Sequence, residues 1–220
     1  MKIRSKEEFF DFIQEERAWR RKELTNCKSM IHGSRESHNQ TVLRAGILLL
    51  YAHWEGYIKK VCEAFFSYIN FKGLKYEQLK HNFLIVGFGD KFNSGLSLKR
   101  FASCAESVRF VLEDCKDKKF RIDVQSRVDT RSNLNSEVLV EMLEMLGIDA
   151  GHFISNKHHI DNRLLKYRNA IAHGERTEWN PELSVDVVGF NDLYERINDL
   201  VDVFENEVSN HVEMETYRAA

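Results

Sequence analysis

The sequence has little of what tight turns and extracellular frameworks require. Only one proline, Pro181, and 11 glycines occur in 220 residues. Folds made of β-strands use many turns rich in these residues, so their scarcity favours an all-α fold. The four cysteines, Cys27, Cys62, Cys104 and Cys115, form no CxxC pair and match no zinc-finger spacing. We therefore expect reduced thiols in a cytosolic protein rather than a disulfide framework.

Long hydrophobic runs are also missing. The longest apolar run, AGILLLYA at residues 45–52, is far shorter than the roughly 20 residues that a membrane-spanning helix needs. The amino-terminal segment MKIRSKEEFFDF is charged and lacks the apolar stretch of a signal peptide. We therefore expect a soluble, cytoplasmic protein that has no membrane partner.

An excess of charge of one sign is absent as well. The chain has 32 basic and 34 acidic side chains, which gives a net charge of −2 at pH 7. This balance excludes a histone-like basic protein, but it does not exclude a nucleic-acid enzyme, because a small local patch can hold a phosphate backbone. The chain also shows no internal repeat, low-complexity segment or linker, so we predict one domain over residues 1–220.

What the sequence does contain is the apolar periodicity of helices. A first helix is predicted over residues 5–25, with Ser5 and Glu8 as a capping box, followed by a polar turn at 32–39. A long helix is predicted over 38–70. Its middle is apolar nearly all round, which indicates burial either at the centre of the fold or at a subunit interface. Further helices are predicted over residues 96–114, 135–147, 153–174 and 191–217.

The middle third of the chain is less regular. Residues 76–88 fit a helix or a short strand, with the helix favoured, and residues 89–95 fit a loop. A short strand is predicted at 120–124, and residues 182–190 form a short alternating segment. We predict an all-α helical bundle with a mid-chain insertion at roughly residues 71–133.

Most familiar site motifs are absent. His158 and Asp161 share a helical face and could ligate a metal, but no second pair accompanies them. Polar residues at a helix start are the favoured interpretation of this pair. The glycines of residues 86–95 match no phosphate-binding loop. We therefore predict neither a metal ion nor a cofactor.

The stretch YRNAIAHGER at residues 167–176 carries the strongest chemical signal. On a continuous helix Arg168 and His173 would lie about 140° apart, so they share a cleft only if the helix ends near the histidine, as Gly174 would allow. Arginine offers a planar fork to phosphate oxygens, and histidine exchanges protons near neutral pH. Asn169 could orient the arginine or contact the same ligand. These residue types suit phosphodiester cleavage; alternatively, Arg168 and His173 only cap the last carbonyls of the helix.

Two segments of the chain resemble one protein superfamily. YRNAIAHGE resembles the Arg-x4–6-His motif of the HEPN superfamily, in which a polar residue, often asparagine, follows the arginine. LLLYAHWEGYIKK at residues 48–60 resembles the AHWEG-like helix of the HEPN clade that is grouped with RiboL-PSP proteins. The two segments occur in the expected order on separate helices and together are much more specific than either alone. The resemblance leaves residues 71–133 unmatched.

The resemblance implies an all-α bundle that acts as a metal-independent endoribonuclease. In such enzymes the ribose 2′-OH attacks the adjacent phosphate and leaves a 2′,3′-cyclic phosphate and a 5′-OH. They act as toxins of toxin–antitoxin pairs or as effectors of antiphage defence, so RNA and an antitoxin or defence protein are the implied partners. Because this attack benefits from a base, an acid and a cation, and one chain has one motif histidine, a homodimer with a composite site is expected.

The resemblance also assigns residues. Arg168, Asn169 and His173 are the expected catalytic set, and Glu55 of the AHWEG-like segment orients His173 or Arg168, with a structural salt bridge as the alternative. His53 is interpreted as a packed helix residue. Glu175 stands where a subset of HEPN toxins has a tyrosine that a partner antitoxin nucleotidylates, so that form of control is not supported. The competing hypothesis is a non-catalytic HEPN-like module that binds RNA, a nucleotide or a partner protein.

Overall fold

The computed structural model describes residues 2–93, 117–176 and 183–219, together with residues 105, 109, 115 and 180. This part of the chain contains no β-strand, only isolated bridges that join Lys75 to Lys119 and Leu79 to Arg218. The predicted all-α class is confirmed. The helical elements are α1 (Lys6–Gly33), α2 (Glu36–Lys72), a 3₁₀ turn (Tyr76–Gln78), α3 (His81–Asn93), α4 (Val124–Arg127), α5 (Ser136–Leu146), α6 (Gly151–Ser155), a π-helical segment (His158–Leu165), α7 (Lys166–Ala172) and α8 (Val187–Glu213).

Helix α1 begins where the sequence predicts and ends later. The Ser5 hydroxyl accepts a hydrogen bond from the Glu8 amide at 3.1 Å, and the Glu8 carboxylate accepts one from the Arg4 amide at 2.7 Å. Only residues 34 and 35 separate α1 from α2, so the predicted polar turn at 32–39 is wrong at most of its positions. His32 and His38 are exposed on these two helices, and the exposed face of a helix has the same composition as a turn.

Helix α2 lies at the centre of the fold, packed by α1, α7 and α8. Most of its apolar residues are buried within the chain, as expected for a helix at the centre of the fold. It ends at Gly73, whose φ of 60° is in the left-handed region that favours glycine. The exposed apolar or small residues left on its first half include Ala45, Leu48 and Ala52.

The middle third of the chain is helical in only part of its described length. Helix α3 confirms the helix prediction for residues 81–88, while residues 76–78 form the 3₁₀ turn. It continues through 89–93, where the sequence predicts a loop. Residues 120–123 form no strand. The Phe120 amide donates to the Leu74 carbonyl at 2.8 Å, and the side-chain amide of Asn70 exchanges two hydrogen bonds with the backbone of Ile122, at 2.9 and 3.1 Å. The predicted strand at 120–124 is therefore wrong. Apart from single positions, the predicted helix at 96–114 lies outside the described residues.

The described part of residues 71–133 shares the main core. Phe83 packs edge-on against Phe120, with ring centroids 5.4 Å apart, and both rings contact Phe66 of α2. An insertion at this place in the chain stays a prediction, because shared packing does not separate an insertion from the original fold.

The second half of the chain follows its predicted caps. Asn135 caps α5 by accepting a hydrogen bond from the Val138 amide at 2.8 Å, and Gly147 ends it with a φ of 80°. The helix predicted over 153–174 is divided into α6, the π-helical segment and α7. The final helix begins at Val187, capped by Asp186, so residues 187–190 belong to α8 and not to an alternating segment.

Two further sequence predictions meet the structure here. No helix in the described ranges combines the length and the apolarity that a bilayer crossing requires. Cys27 and Cys62 are free thiols, and burial raises the pKa of both, while Cys115 is buried. Cys104 lies outside the described residues.

Candidate functional site

Helix α7 is closed at its carboxyl end by backbone hydrogen bonds. Gly174 has a φ of 77°, and its amide donates to the Ile171 carbonyl at 3.0 Å. The Glu175 amide donates to the Ala170 carbonyl at 2.9 Å. This pair of bonds is a Schellman motif, which satisfies terminal carbonyls without the help of a side chain. The prediction that Gly174 ends the helix is confirmed.

The side chain of His173 is therefore not needed as a helix cap. Its backbone amide donates to the Asn169 carbonyl at 2.9 Å, which continues the helix by one residue. Its imidazole is exposed and makes no hydrogen bond or ion pair with the part of the chain that the structure describes. The ring is open to solvent and free to exchange protons with a bound molecule.

Arg168 does not cap the helix either. Its Nη1 donates to Asn133 Oδ1 and to Asn169 Oδ1, both at 2.8 Å. Its Cζ lies 4.7 Å from the centroid of the Tyr51 ring, within the range of a cation–π contact. Asn169 thus makes the contact with the arginine that an orienting role requires, while Tyr51 and Asn133 are not among the residues that the sequence predicts.

The guanidinium of Arg168 keeps one edge open. Both Nη1 hydrogens are used, and Nη2 and Nε make no hydrogen bond with any described residue. An Nη2/Nε edge presents two parallel donors, which match two oxygens of one phosphate. One face of the group is covered by an aromatic ring and one corner is fixed by two asparagines, so the open edge points in a defined direction.

Glu55 lies one helical turn after Tyr51, on the same side of α2. Its Oε1 accepts a hydrogen bond from the buried Thr130 hydroxyl at 2.5 Å. Burial, and then the charge of Glu55, raise the pKa of the Tyr51 hydroxyl to about 12, against the opposing effects of the Leu134 amide and Arg168. Glu55 thus lies beside Tyr51, the residue whose ring contacts Arg168. No described contact joins Glu55 to His173, and Glu55 forms no ion pair in the described ranges.

His53 lies on a different side of α2. Its ring packs edge-on against Trp19 of α1 with centroids 5.0 Å apart, and its Nε2 lies 2.7 Å from Glu23 Oε2. Burial lowers the pKa of its imidazole. These contacts join α1 to α2 and do not reach the Arg168 cluster, in agreement with the interpretation of His53 as a packed residue.

The loop after α7 is tied to α2. Arg44 Nη1 donates to the Glu175 carbonyl at 2.6 Å, which places the His173 end of α7 beside the first half of α2. Ala45, Leu48 and Ala52 follow at intervals of three and four residues and are exposed. They form a strip of small and apolar side chains next to the site, which we call the α2 strip.

The candidate metal pair is engaged elsewhere. Asp161 accepts hydrogen bonds from the Ser136 amide at 2.8 Å and the Ser136 hydroxyl at 2.5 Å, and so caps α5. His158 Nδ1 contacts the Asn162 amide at 3.1 Å. Across the described ranges, no three His, Cys, Asp or Glu side chains gather closely enough to share a metal ion.

The model of one family, RiboL-PSP-HEPN, matches residues 15–210. The chain belongs to the RiboL-PSP-HEPN family. The match includes both α2 and the Arg168–His173 segment, and it extends across residues 71–133, which the resemblance left unmatched. No curated protein and no solved structure matches the chain.

Membership in the RiboL-PSP-HEPN family places the chain among all-α modules with roles connected to RNA. HEPN domains are often ribonucleases, and the superfamily also has non-catalytic members. The family therefore sets the class of function, and only the chemistry of the site can separate an enzyme from a binding module.

Proposed function

We propose that this HEPN chain is a metal-independent endoribonuclease that acts as a homodimer. The ribose 2′-oxygen forms a bond to the adjacent phosphorus, the bond from phosphorus to the 5′-oxygen breaks, and the products carry a 2′,3′-cyclic phosphate and a 5′-OH. The observation that carries the proposal is the open Nη2/Nε edge of Arg168, held at its other corner by Asn133 and Asn169. Arg168 lies on helix α7, which ends at the exposed His173.

Arg168 acts on the phosphate. Attack by the 2′-oxygen increases negative charge on the non-bridging oxygens, and a donor fork already held in place stabilises that charge without reorganising during the reaction. Asn169 accepts a hydrogen bond from Nη1 of the guanidinium, and the ring of Tyr51 covers one of its faces. Their contribution is orientation, which is a large part of catalysis when the reacting atoms must be aligned.

His173 acts on protons, and two copies of it are needed. The attacking 2′-OH gives up a proton and the leaving 5′-oxygen gains one, so a base and an acid work together. One protomer supplies one motif histidine. The α2 strip beside the site offers a close-packing surface to the same strip of a second copy, which brings a second Arg168 and a second His173 into one cleft.

The biological role that we propose is that of a toxin or an antiphage-defence effector. The partners are cytoplasmic RNA and an antitoxin or defence-system protein. Glu175 occupies the place of the tyrosine that some HEPN toxins use for nucleotidylation, and its carbonyl instead accepts a hydrogen bond from Arg44. Control by another kind of partner interaction is therefore favoured over nucleotidylation at this position.

The test is cleavage of a defined, 5′-labelled RNA in excess EDTA. We expect products with 2′,3′-cyclic phosphate ends, and we expect a substrate with a single 2′-deoxyribose at the cleavage position to resist. Arg168→Ala and His173→Ala should be inactive while their helical content by circular dichroism stays near wild type. Activity lost in EDTA and restored by magnesium or manganese would overturn the metal-free mechanism, and normal cleavage by both variants would overturn the site.

A second candidate is a non-catalytic module that binds RNA, a nucleotide or a partner protein. The observation that favours it is that no described residue orients the His173 ring. Such a module would bind RNA through Arg168 without shortening it. Binding that is lost in Arg168→Ala, kept in His173→Ala and never followed by cleavage would favour this candidate. Growth arrest on overexpression that disappears in His173→Ala would favour the nuclease.

A further inference from the structure

The turn at residues 129–133 has an unusual backbone. Arg131 and Ser132 have φ values of 51° and 67°, so two successive residues that are not glycine occupy the left-handed region. The Asp129 carboxylate accepts a hydrogen bond from the Arg131 amide at 2.9 Å, and the Thr130 carbonyl accepts one from the Asn133 amide at 3.0 Å. Backbone of this kind persists only where its surroundings determine it strongly, and it concentrates at functional sites.

Both ends of the turn are fixed in the fold. Val128 and Leu134 are buried in the core on either side of it. The Leu134 amide donates to the Tyr51 hydroxyl at 2.8 Å, and Asn135 is the amino-terminal cap of α5. The turn is therefore a rigid bridge between α2 and α5, and the direction of its side chains is set by the core.

Two of these side chains reach the candidate site. Thr130 donates to Glu55 of α2, and Asn133 accepts from Arg168 of α7. Tyr51 contacts the turn through its hydroxyl and Arg168 through its ring. The turn thus connects the two helices that carry the predicted site residues, although it carries none of those residues itself.

We infer that Asn133 is a positioning residue, which turns the Nη2/Nε edge of Arg168 toward the RNA phosphate; this role presupposes the proposed ribonuclease function. The contacts with Tyr51 and Asn169 leave the guanidinium able to slide over the aromatic ring and to rotate around its single remaining hydrogen bond. The bond to Asn133 removes that freedom because its acceptor is mounted on a rigid turn 35 residues away in sequence. Replacement of Asn133 leaves the positive charge of Arg168 at the site but removes the contact that fixes the orientation of its Nη2/Nε edge.

The kinetic test uses Asn133→Leu, which keeps the approximate size and removes the acceptor, with Asn133→Ala as a second variant in case the first does not fold. We expect kcat to fall about 10- to 100-fold while the Kd for RNA changes less than about threefold, because a hydrogen bond to a charged group is lost and the charge is kept. In an Arg168→Lys background, which keeps a measurable rate but has no planar fork to orient, the same change should have a much smaller effect. An equal loss in both backgrounds would mean a merely structural role and would overturn the inference.

The matched control is Asn82→Ala. The Asn82 side chain donates one hydrogen bond of 2.9 Å to the Met145 carbonyl, at the opposite end of α5 from Asn133. Its removal should cost a comparable amount of stability and leave kcat unchanged. A fall in kcat as large as that of Asn133→Leu would attribute the effect to general destabilisation and overturn the inference.

A second measurement does not depend on cleavage. The Nε–Hε signal of Arg168 in a nitrogen–proton NMR spectrum, assigned by its loss in Arg168→Lys, should be distinct and ordered in the wild type. It should become averaged in Asn133→Leu and stay ordered in Asn133→Asp, which keeps an oxygen acceptor. If the wild type cleaves no RNA but the signal behaves in this way, the ribonuclease function fails and the positioning by Asn133 stands. A signal unchanged in Asn133→Leu overturns the positioning.

Discussion

Replacement of Arg168 by lysine separates the charge of the site from its geometry. The arginine uses Nη1 for Asn133 and Asn169 and keeps the Nη2/Nε edge for a phosphate. A lysine ammonium can hold an asparagine or a phosphate at one point, but it has no planar fork. We expect the single-turnover rate to fall about 100- to 1000-fold, the usual cost of losing one donor that stabilises transition-state charge. The Kd for RNA should change less than about tenfold, because the positive charge remains.

The same variant should remain folded. It loses one charge-assisted hydrogen bond and the stacking of Arg168 on Tyr51, at 4.7 Å, although lysine replaces part of both. We expect the free energy of unfolding to fall by about 1–2 kcal/mol. For a chain of this length that corresponds to a decrease of about 2–8 °C in Tm, which leaves the protein native at an assay temperature of 25 °C.

The assay is cleavage of a labelled RNA by excess protein in EDTA, with Tm measured on the same sample. The control is Arg163→Lys, because Arg163 also uses its fork, with Nη1 on Asp192 at 2.5 Å and Nη2 on the Gly189 carbonyl at 3.2 Å, and none of its described contacts is to the site. Arg163→Lys should have a lower Tm than the wild type but cleave RNA at the wild-type rate. Arg168→Lys cleaving within about threefold of the wild type, or Arg163→Lys falling as far, would refute the reasoning.

Four further outcomes are expected. His173→Ala should lower the rate about 100- to 10,000-fold with little change in Tm, because backbone bonds close the helix end; a fall in Tm large enough to explain the lost rate would contradict a role in proton transfer. Glu55→Gln should lower the rate less than about tenfold, because its carboxylate acts through Thr130 and Tyr51; a loss equal to that of His173→Ala would instead give Glu55 a direct role. Leu48→Asp, in the α2 strip, should convert the dimer to a monomer by light scattering and abolish cleavage; a wild type that is monomeric at micromolar concentration and still cleaves RNA would exclude the composite site. Burial lowers the pKa of His211 from 6.5 to about 4, so the folded state binds fewer protons than the unfolded state between these values. His211 therefore contributes its full share of the free energy of unfolding above pH 6.5, and that share decreases as the pH falls toward 4, by about 2 kcal/mol at pH 5. In urea unfolding, the free energy of unfolding of His211→Gln should depend less steeply on pH than that of the wild type; an equally steep dependence would exclude His211 as the cause of the acid destabilisation.

Local features of this protein could be predicted from the sequence because their partners are neighbours in the chain. Ser5 and Asn135 accept hydrogen bonds from amides three residues further on, and Gly147 and Gly174 end helices because glycine tolerates a positive φ. The same holds for the pair of Arg168 and Asn169, which are adjacent in sequence and bonded in the structure. The all-α class follows from the sum of such local signals.

The secondary-structure predictions were wrong where the same polar residues fit two different local structures. Asn70 supplies the hydrogen bonds that a partner strand would have given to the backbone at Ile122, so the expected strand did not form. Residues 32–39 have the composition of a turn but lie mostly on two helices, because the apolar positions around them, such as Ile31 and Leu43, are buried in the core. Composition cannot distinguish an exposed helical face from a loop when the deciding contacts lie elsewhere in the chain.

The direction of the Arg168 fork was decided only by the tertiary structure. The sequence determined that an arginine, an asparagine and a histidine lie at the end of one helix. The ring of Tyr51 and the carbonyl oxygen of the Asn133 side chain come from other elements, and no local pattern in VDTRSN marks the second of them. A hydrogen bond between residues close in sequence needs only the local backbone, whereas the orientation of a guanidinium depends on acceptors and rings that the packed core brings together.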